Sequence, residues 1–255
     1  MPVPFGKNIQ QNVADVSRAA AEQLVAIAQK CVSDKQRFTI ALSGGSTPRQ
    51  TYALLAASPW LECMPWSATE IYFGDERHVR PDHPDSNYRM AYEAMLKSVP
   101  IPSENVFPIS TVDADVRRCA EQYEQLLHLN FPKVQVPVFD LILLGIGPDG
   151  HTASLFPGTP APLERERWVT WCDPVAANPN VKPAVKRITI TAPVILNAKN
   201  VFVLATGAEK APVLAGIFSE FEPRNAPVSR LLRQCDGQVV FFLDHQADPS
   251  GTLSE

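Results

Sequence analysis

One stretch of the chain concentrates residues that can do chemistry: Gly145-Ile-Gly147-Pro148-Asp149-Gly150-His151-Thr-Ala-Ser154-Leu155-Phe156-Pro157. Its three glycines let the backbone approach a ligand closely and can offer N–H groups to a developing oxyanion. His151 can take and return a proton near neutral pH, and Asp149, two residues earlier, can orient its ring. A loop histidine can also be merely structural. The same stretch spells G-x-G-x-x-G. A dinucleotide site needs a long helix straight after the glycines and an acidic residue ~20 positions on. Pro148 sits inside the turn and Pro157 stops any helix, so no such cofactor is expected.

Three other short segments carry polar groups after apolar runs. Ser43-Gly44-Gly45-Ser46-Thr47-Pro48-Arg49 combines a glycine turn with Ser46 and Thr47 as helix caps and Pro48 as an early helical residue. Free N–H groups at a helix start favour an anion, and Arg49 can add charge. The spacing is not that of a Walker A loop. Gly74-Asp75-Glu76-Arg77-His78 places four ionisable residues directly behind an apolar run. That is either a site or a surface salt-bridge cluster. Its continuation, Pro81-Asp82-His83-Pro84-Asp85-Ser86-Asn87-Tyr88, is too proline-broken to present fixed metal ligands, and Ser86 or Asn87 suits a helix cap. In Thr206-Gly207-Ala208-Glu209-Lys210, the lysine falls in the first turn of a helix, where a cation opposes the dipole unless it serves an anion.

These segments need a frame that brings them together. Val13, Val16, Ala20, Leu24, Ile27 and Cys31 recur at helical spacing. Strands are expected at Phe38–Leu42, Thr69–Phe73, Val138–Leu144, Trp168–Cys172, Arg187–Thr191, Val201–Ala205 and Gln238–Leu243. Between them, helices are expected from about Pro48, at Tyr88–Leu96, Asp113–Leu129 and Ala208–Phe218. The alternation predicts right-handed βαβ units and a doubly wound, mainly parallel sheet with helices on both faces. The irregular, proline-rich stretch Pro157–Pro183 is too short for a boundary, so residues 1–255 are expected to form one domain. In such a sheet, ligands bind beyond the carboxyl ends of the strands. The four loops, after Leu42, Phe73, Leu144 and Ala205, all lie there.

Composition narrows the function classes. The 255 residues include 24 prolines and 12 glycines, with a net charge of −4 and no basic run, so no nucleic-acid partner is expected. No apolar stretch approaches the ~20 residues of a membrane helix, and the N-terminus lacks the apolar core of a signal peptide. A cytoplasmic protein is expected. Cys31, Cys63, Cys119, Cys172 and Cys235 form no CxxC pair, which points to buried reduced thiols. Eight of the twelve glycines fall in the four loops or at their edges, so backbone freedom gathers at one end of the predicted sheet.

Taken in order, Ser43–Arg49, Gly74–Arg77 with Ser86-Asn87-Tyr88, Gly145–Pro157 and Thr206–Ala211 closely resemble the 6-phosphogluconolactonase family. Arg187-Ile-Thr-Ile-Thr-Ala-Pro and Ser229-Arg-Leu-Leu-Arg look similar as well, and the likeness runs over nearly the whole chain. It implies hydrolysis of 6-phosphogluconolactone to 6-phosphogluconate in the oxidative pentose phosphate pathway. It also implies a fold shared with glucosamine-6-phosphate deaminase, and neither metal nor organic cofactor. By the resemblance His151 is the general base, Arg49 and Arg77 attract phosphate, and Lys210 is the phosphate-side lysine. Asp75 can hold Arg77 or contact sugar hydroxyls. The expected catalytic set is His151, Asp75 and Asp149. The expected substrate-binding set is Gly44, Gly45, Ser46, Thr47, Arg49, Arg77, Asn87 and Lys210. The partner is a small phosphosugar lactone, bound by a monomer or weak homo-oligomer. The nearest rival, the deaminase, carries a glutamate after the histidine loop and an aromatic residue after Asp-Glu. Here Leu155-Phe156-Pro157 and Arg77 stand in those places. A sugar-phosphate-sensing module would add a helix-turn-helix, for which no room is expected before the first helix.

Overall fold

A computed structural model describes residues 5–219 and 231–251 of the chain. In chain order its elements begin with β1 (Gly6–Gln10), α1 (Val13–Lys35), β2 (Phe38–Leu42), α2 (Ser46–Leu55) and α3 (Trp60–Cys63). They continue with β3 (Thr69–Phe73), β4 (Asp75–Arg77), α4 (Asn87–Ala94), α5 (Val116–Asn130) and β5 (Leu141–Leu144). The rest are β6 (Val169–Cys172), α6 (Pro174–Ala177), β7 (Arg187–Ile190), α7 (Ala192–Leu196), β8 (Asn200–Ala205), α8 (Ala211–Phe218) and β9 (Gln238–Asp244). Ser229 and Arg230, singled out above, lie outside the described residues.

Six strands form one parallel sheet in the order β1-β9-β8-β5-β2-β3. Every residue of β2 and β5 is buried, as central strands covered on both faces must be. Helix α1 shows why its pattern folds as predicted. Asn12 caps it by accepting from Ala14 and Asp15, and its face of Val16, Ala20, Leu24 and Ala28 is buried in the core. The prolines sit where a missing N–H costs least: Pro174, Pro193 and Pro212 each occupy the first turn of a helix. Among the described residues no helix is long and apolar enough to cross a membrane. Cys119, Cys172 and Cys235 are buried free thiols, whereas Cys63 is exposed.

Two features depart from the predicted alternation. Strand β1 is polar and, among the described residues, pairs only with β9, so it offers no apolar run to the eye. Strands β6 and β7 leave the main sheet and join β4 in a separate antiparallel sheet, ordered β4-β7-β6. Gly74 stitches the two sheets together: its N–H donates to Leu42 O and its carbonyl accepts from Ile190 N. The charged segment behind β3 is therefore a strand and not a surface loop.

From β2 the chain steps outward to β3, then crosses back to β5 and continues outward through β8 to β9. The loops after β2 and β5 thus diverge at a topological switch point, where such sheets leave a crevice.

The opposite ends of β2 and β5 are tied by a buried carboxylate. Asp140 Oδ2 accepts from Thr39 N at 2.9 Å and Thr39 Oγ1 at 3.0 Å, and pairs with Lys35 at 2.8 Å. Its Oδ1 pairs with Lys199 at 3.2 Å. Burial pushes this carboxyl up, but the Lys35 ammonium, the Thr39 N–H and Lys199 outweigh it and hold it below its ordinary value. Asp140→Asn should cost about 1–3 kcal/mol at pH 7, read by chemical denaturation. A folded-state pKa below the unfolded one gives stability that is complete above about pH 4 and vanishes as pH falls through the folded value. The gap between wild type and variant should therefore close in acid. A gap that persists at low pH would refute the charge argument.

Candidate active site

The loops after β2, β3, β5 and β8 converge on one cleft of ≈ 450 Å3. Two buried tyrosines fix where the first two begin. Tyr52 OH accepts from Ser43 N at 3.0 Å and donates to Ser43 O at 2.8 Å. Tyr123 OH does the same for Phe73, at 2.9 and 3.1 Å. Burial pushes both phenols well above their ordinary pKa, so both stay neutral donors and acceptors.

In the first loop Gly45, at φ 113, is the residue before α2, and no side chain caps the helix. Ser46 and Thr47 are its first helical residues, so their expected capping role is not found. Thr47 Oγ1 instead pairs with Thr206 Oγ1 at 2.8 Å and joins the first loop to the fourth. Pro48 has no N–H and Arg49 N donates to Gly45 O, so with no side-chain cap the Ser46 and Thr47 N–H groups are the ones left for a ligand. Lys210 ends a 3-10 turn (Ala208–Lys210) ahead of α8, half-buried and 3.9 Å from Glu209.

The second segment is held from within. Glu76, 3% exposed, accepts from the N–H groups of Arg77, Asn87 and Tyr88 and from Ser86 Oγ. Burial outweighs these four bonds and pushes its carboxyl up. Ser86 also caps α4 by accepting from Arg89 N. Asn87 Nδ2 donates to Asp75 Oδ1 at 3.0 Å, and Ser154 Oγ donates to Asp75 Oδ2 at 2.6 Å. Asp75 thus joins the second loop to the third. It forms no ion pair with Arg77, whose Nη1 donates to the Asp85 carbonyl at 2.8 Å.

The third loop locks on itself. Gly147 N donates to His151 O, Gly150 N to Gly147 O, and Thr152 Oγ1 to Gly145 O. Two of the N–H groups expected to face an oxyanion are therefore spent. Coil and turns follow β5 in place of a helix, which removes the dinucleotide reading. His151 Nδ1 lies 2.5 Å from Asp149 Oδ1, and its ring stacks on Phe156 at a centroid distance of 4.0 Å. Burial works against the Asp149 carboxylate, but the hydrogen bond and charge of His151 prevail and lower its pKa. An ionised carboxylate only accepts, so Nδ1 carries the ring proton and Nε2 is left for chemistry.

Of the expected residues, His151, Asp75, Asp149, Gly44, Gly45, Ser46, Thr47, Arg77 and Lys210 line the cleft. Arg49 and Asn87 do not. They line an adjoining pocket that shares Gly45, Ser46 and Arg77 with it. Asn87 is buried against Gly44, where a Cβ would lie 2.1 Å from its Oδ1. Sequence reasoning missed Arg187, Ser154 and the Asn178–Lys182 rim. A charge opening the otherwise apolar run Arg187-Ile-Thr-Ile was the available signal; the rim has none. Among the described residues, no group of three or more His, Cys, Asp or Glu could hold a metal ion.

Fold and cleft together define an α/β protein whose switch-point cleft is lined by basic side chains and by a carboxylate-oriented histidine. Residues 11–241 match the model of the glucosamine-6-phosphate isomerases/6-phosphogluconolactonase family, and the chain belongs to that family. A 6-phosphogluconolactonase from Synechocystis is 42% identical over 222 residues, 86% of each chain. The human 6-phosphogluconolactonase is 37% identical over 90% of this chain and 87% of its own. The solved 6-phosphogluconolactonase of Trypanosoma brucei superposes with a TM-score of 0.86 at 38% identity, covering 96% of this chain and 97% of that one.

Proposed function

We propose that this chain hydrolyses 6-phospho-D-glucono-1,5-lactone to 6-phosphogluconate, the lactone-opening step of the oxidative pentose phosphate pathway. The observation that carries the reading is the Asp149–His151–Phe156 arrangement in a cleft that cations also line. Asp149 holds Nδ1–H, and Nε2 takes a proton from water as the water attacks the lactone carbonyl. The same nitrogen returns the proton to the ring oxygen as the C–O bond breaks. The substrate phosphate rests on the first-turn N–H groups of α2 and on Lys210, and this remote anchorage orients the reacting carbon. Asp75, fixed by Asn87 and Ser154, shapes the floor beside it.

Phe156 favours lactone opening over deamination, since an apolar ring covers the histidine near the place where the deaminase carries a glutamate. Lactone turnover without ammonia release from glucosamine 6-phosphate is the expected result. Ammonia release would favour the deaminase, and binding without turnover a sensor. Lys210→Ala should raise KM about tenfold or more with kcat little changed, since a charge-assisted hydrogen bond to phosphate is worth about 1.5–3 kcal/mol. Arg49, exposed and outside the cleft, should matter less. An unchanged KM for Lys210→Ala would remove the lysine from the phosphate cradle.

A further inference from the structure

Arg187 is 2% exposed and lines the cleft, yet its Nη1 is buried with no hydrogen-bond partner. Its Nη2 is spent on a neutral acceptor, the Pro183 carbonyl at 2.9 Å. In the β4–β7 ladder the residue directly opposite Arg187 is Arg77. Like charges facing each other across antiparallel strands are destabilising, and a buried guanidinium without an anion is costlier still. No carboxylate forms an ion pair with either arginine among the described residues. Burial, then Arg77, lowers the Arg187 pKa, and Asp75 only partly offsets them. Two arginines in this arrangement leave a place for an anion.

We propose that Arg187 and Arg77, the latter expected from the resemblance to attract phosphate, clamp the carboxylate end of the ligand, as a second anion subsite beside the phosphate cradle at α2 and Lys210. The proposal rests on the lactonase reading and deepens it. Lactone plus water gives a carboxylate, a ring hydroxyl and one proton. The substrate therefore carries one anionic group and the product two, and the second appears at the carbon under attack. The neighbouring contacts place the clamp beside the histidine loop. Thr189, two residues along β7, accepts from Ser154 N, and Ser154 follows His151 by three residues. With Gly147 and Gly150 N–H groups already engaged, the unpaired Nη1 is a donor available to charge developing on the carbonyl oxygen. A planar fork suits that role and the resulting carboxylate.

The test compares two inhibitors that differ only at that carbon. One is 6-phosphogluconate; the other is glucitol 6-phosphate, whose terminal group is a neutral hydroxymethyl. Wild type should bind the first about tenfold to a hundredfold more tightly. Arg187→Gln and Arg77→Gln should each erase most of that preference while changing glucitol 6-phosphate affinity less than about threefold, and Arg187→Lys should retain part of it. Lys210→Ala should weaken both inhibitors alike. No preference in wild type overturns the clamp whatever the variants do. So does a preference that survives Arg77→Gln, or one lost only through equal weakening of both inhibitors. Arg77 is partly exposed, so its variant decides even if Arg187→Gln fails to fold. Lactone turnover by wild type is assayed beside these affinities. Absent turnover with the preference intact would sink the lactonase reading and leave the clamp. Turnover without the preference would do the reverse.

Discussion

His151→Ala should lower kcat for lactone opening by about 10²–10⁴ and leave the affinity for phosphosugar inhibitors nearly intact. The size follows from what is removed. Asp149 fixes Nδ1 and Phe156 fixes the ring plane, and in the proposed mechanism Nε2 is the proton carrier for both halves of the reaction. Without the imidazole, water must lose its proton to solvent and the ring oxygen must regain one there. The remaining groups still hold the phosphate, so binding and chemistry separate in this variant. Initial rates of acid release, corrected for spontaneous lactone hydrolysis, give the answer. Wild-type turnover by His151→Ala would take the histidine out of the mechanism.

Gly147→Ala should cost about 10² in kcat through geometry alone. A Cβ at Gly147 would lie 2.2 Å from His151 Nδ1 and Cε1, and 2.6 Å from Asp149 Oδ1. Neither contact can exist, so the imidazole must swing off Asp149 or off Phe156. The clash is with side chains and not with backbone, so the loop can remain folded while the base is misplaced. Thermal unfolding should move little while kcat falls. Gly145 makes the comparison, because its Cβ would meet only Ser43 Oγ at 3.9 Å, and Gly145→Ala should be the milder variant. Equal, small effects of both would show that the ring tolerates displacement.

The parallel sheet was legible because its central strands are unbroken apolar runs, such as Leu141-Ile-Leu-Leu144. The edge strand Gly6-Lys-Asn-Ile-Gln10 was not, since an edge needs no apolar face on each side. The antiparallel sheet was hidden for another reason. Asp75-Glu76-Arg77 has no strand propensity and becomes a strand only by pairing with β7. Glycine spacing and the histidine loop pointed to the site directly, and nine of the eleven expected residues line the cleft. Arg49 lines the adjoining pocket and not the cleft, because a position in the first turn of α2 does not say which way the side chain leaves the helix. Arg187 was missed because its meaning lies in a partner across the ladder, and local sequence does not record cross-strand neighbours.

The tyrosine fastenings at Ser43 and Phe73 carry one more consequence. Each satisfies both peptide groups at a strand end by a hydroxyl sent from a helix, Tyr52 from α2 and Tyr123 from α5. The residues beyond Ser43 are relieved of closing the sheet, whereas beyond Phe73 Gly74 and β4 carry the join to the second sheet. Loops fastened in this way can be lengthened, shortened or recoded with the strand ends still secured. For the engineer, that makes the stretch after Ser43 the natural cassette for grafting new ring-opening chemistry, with β4 behind Phe73 kept as part of the frame.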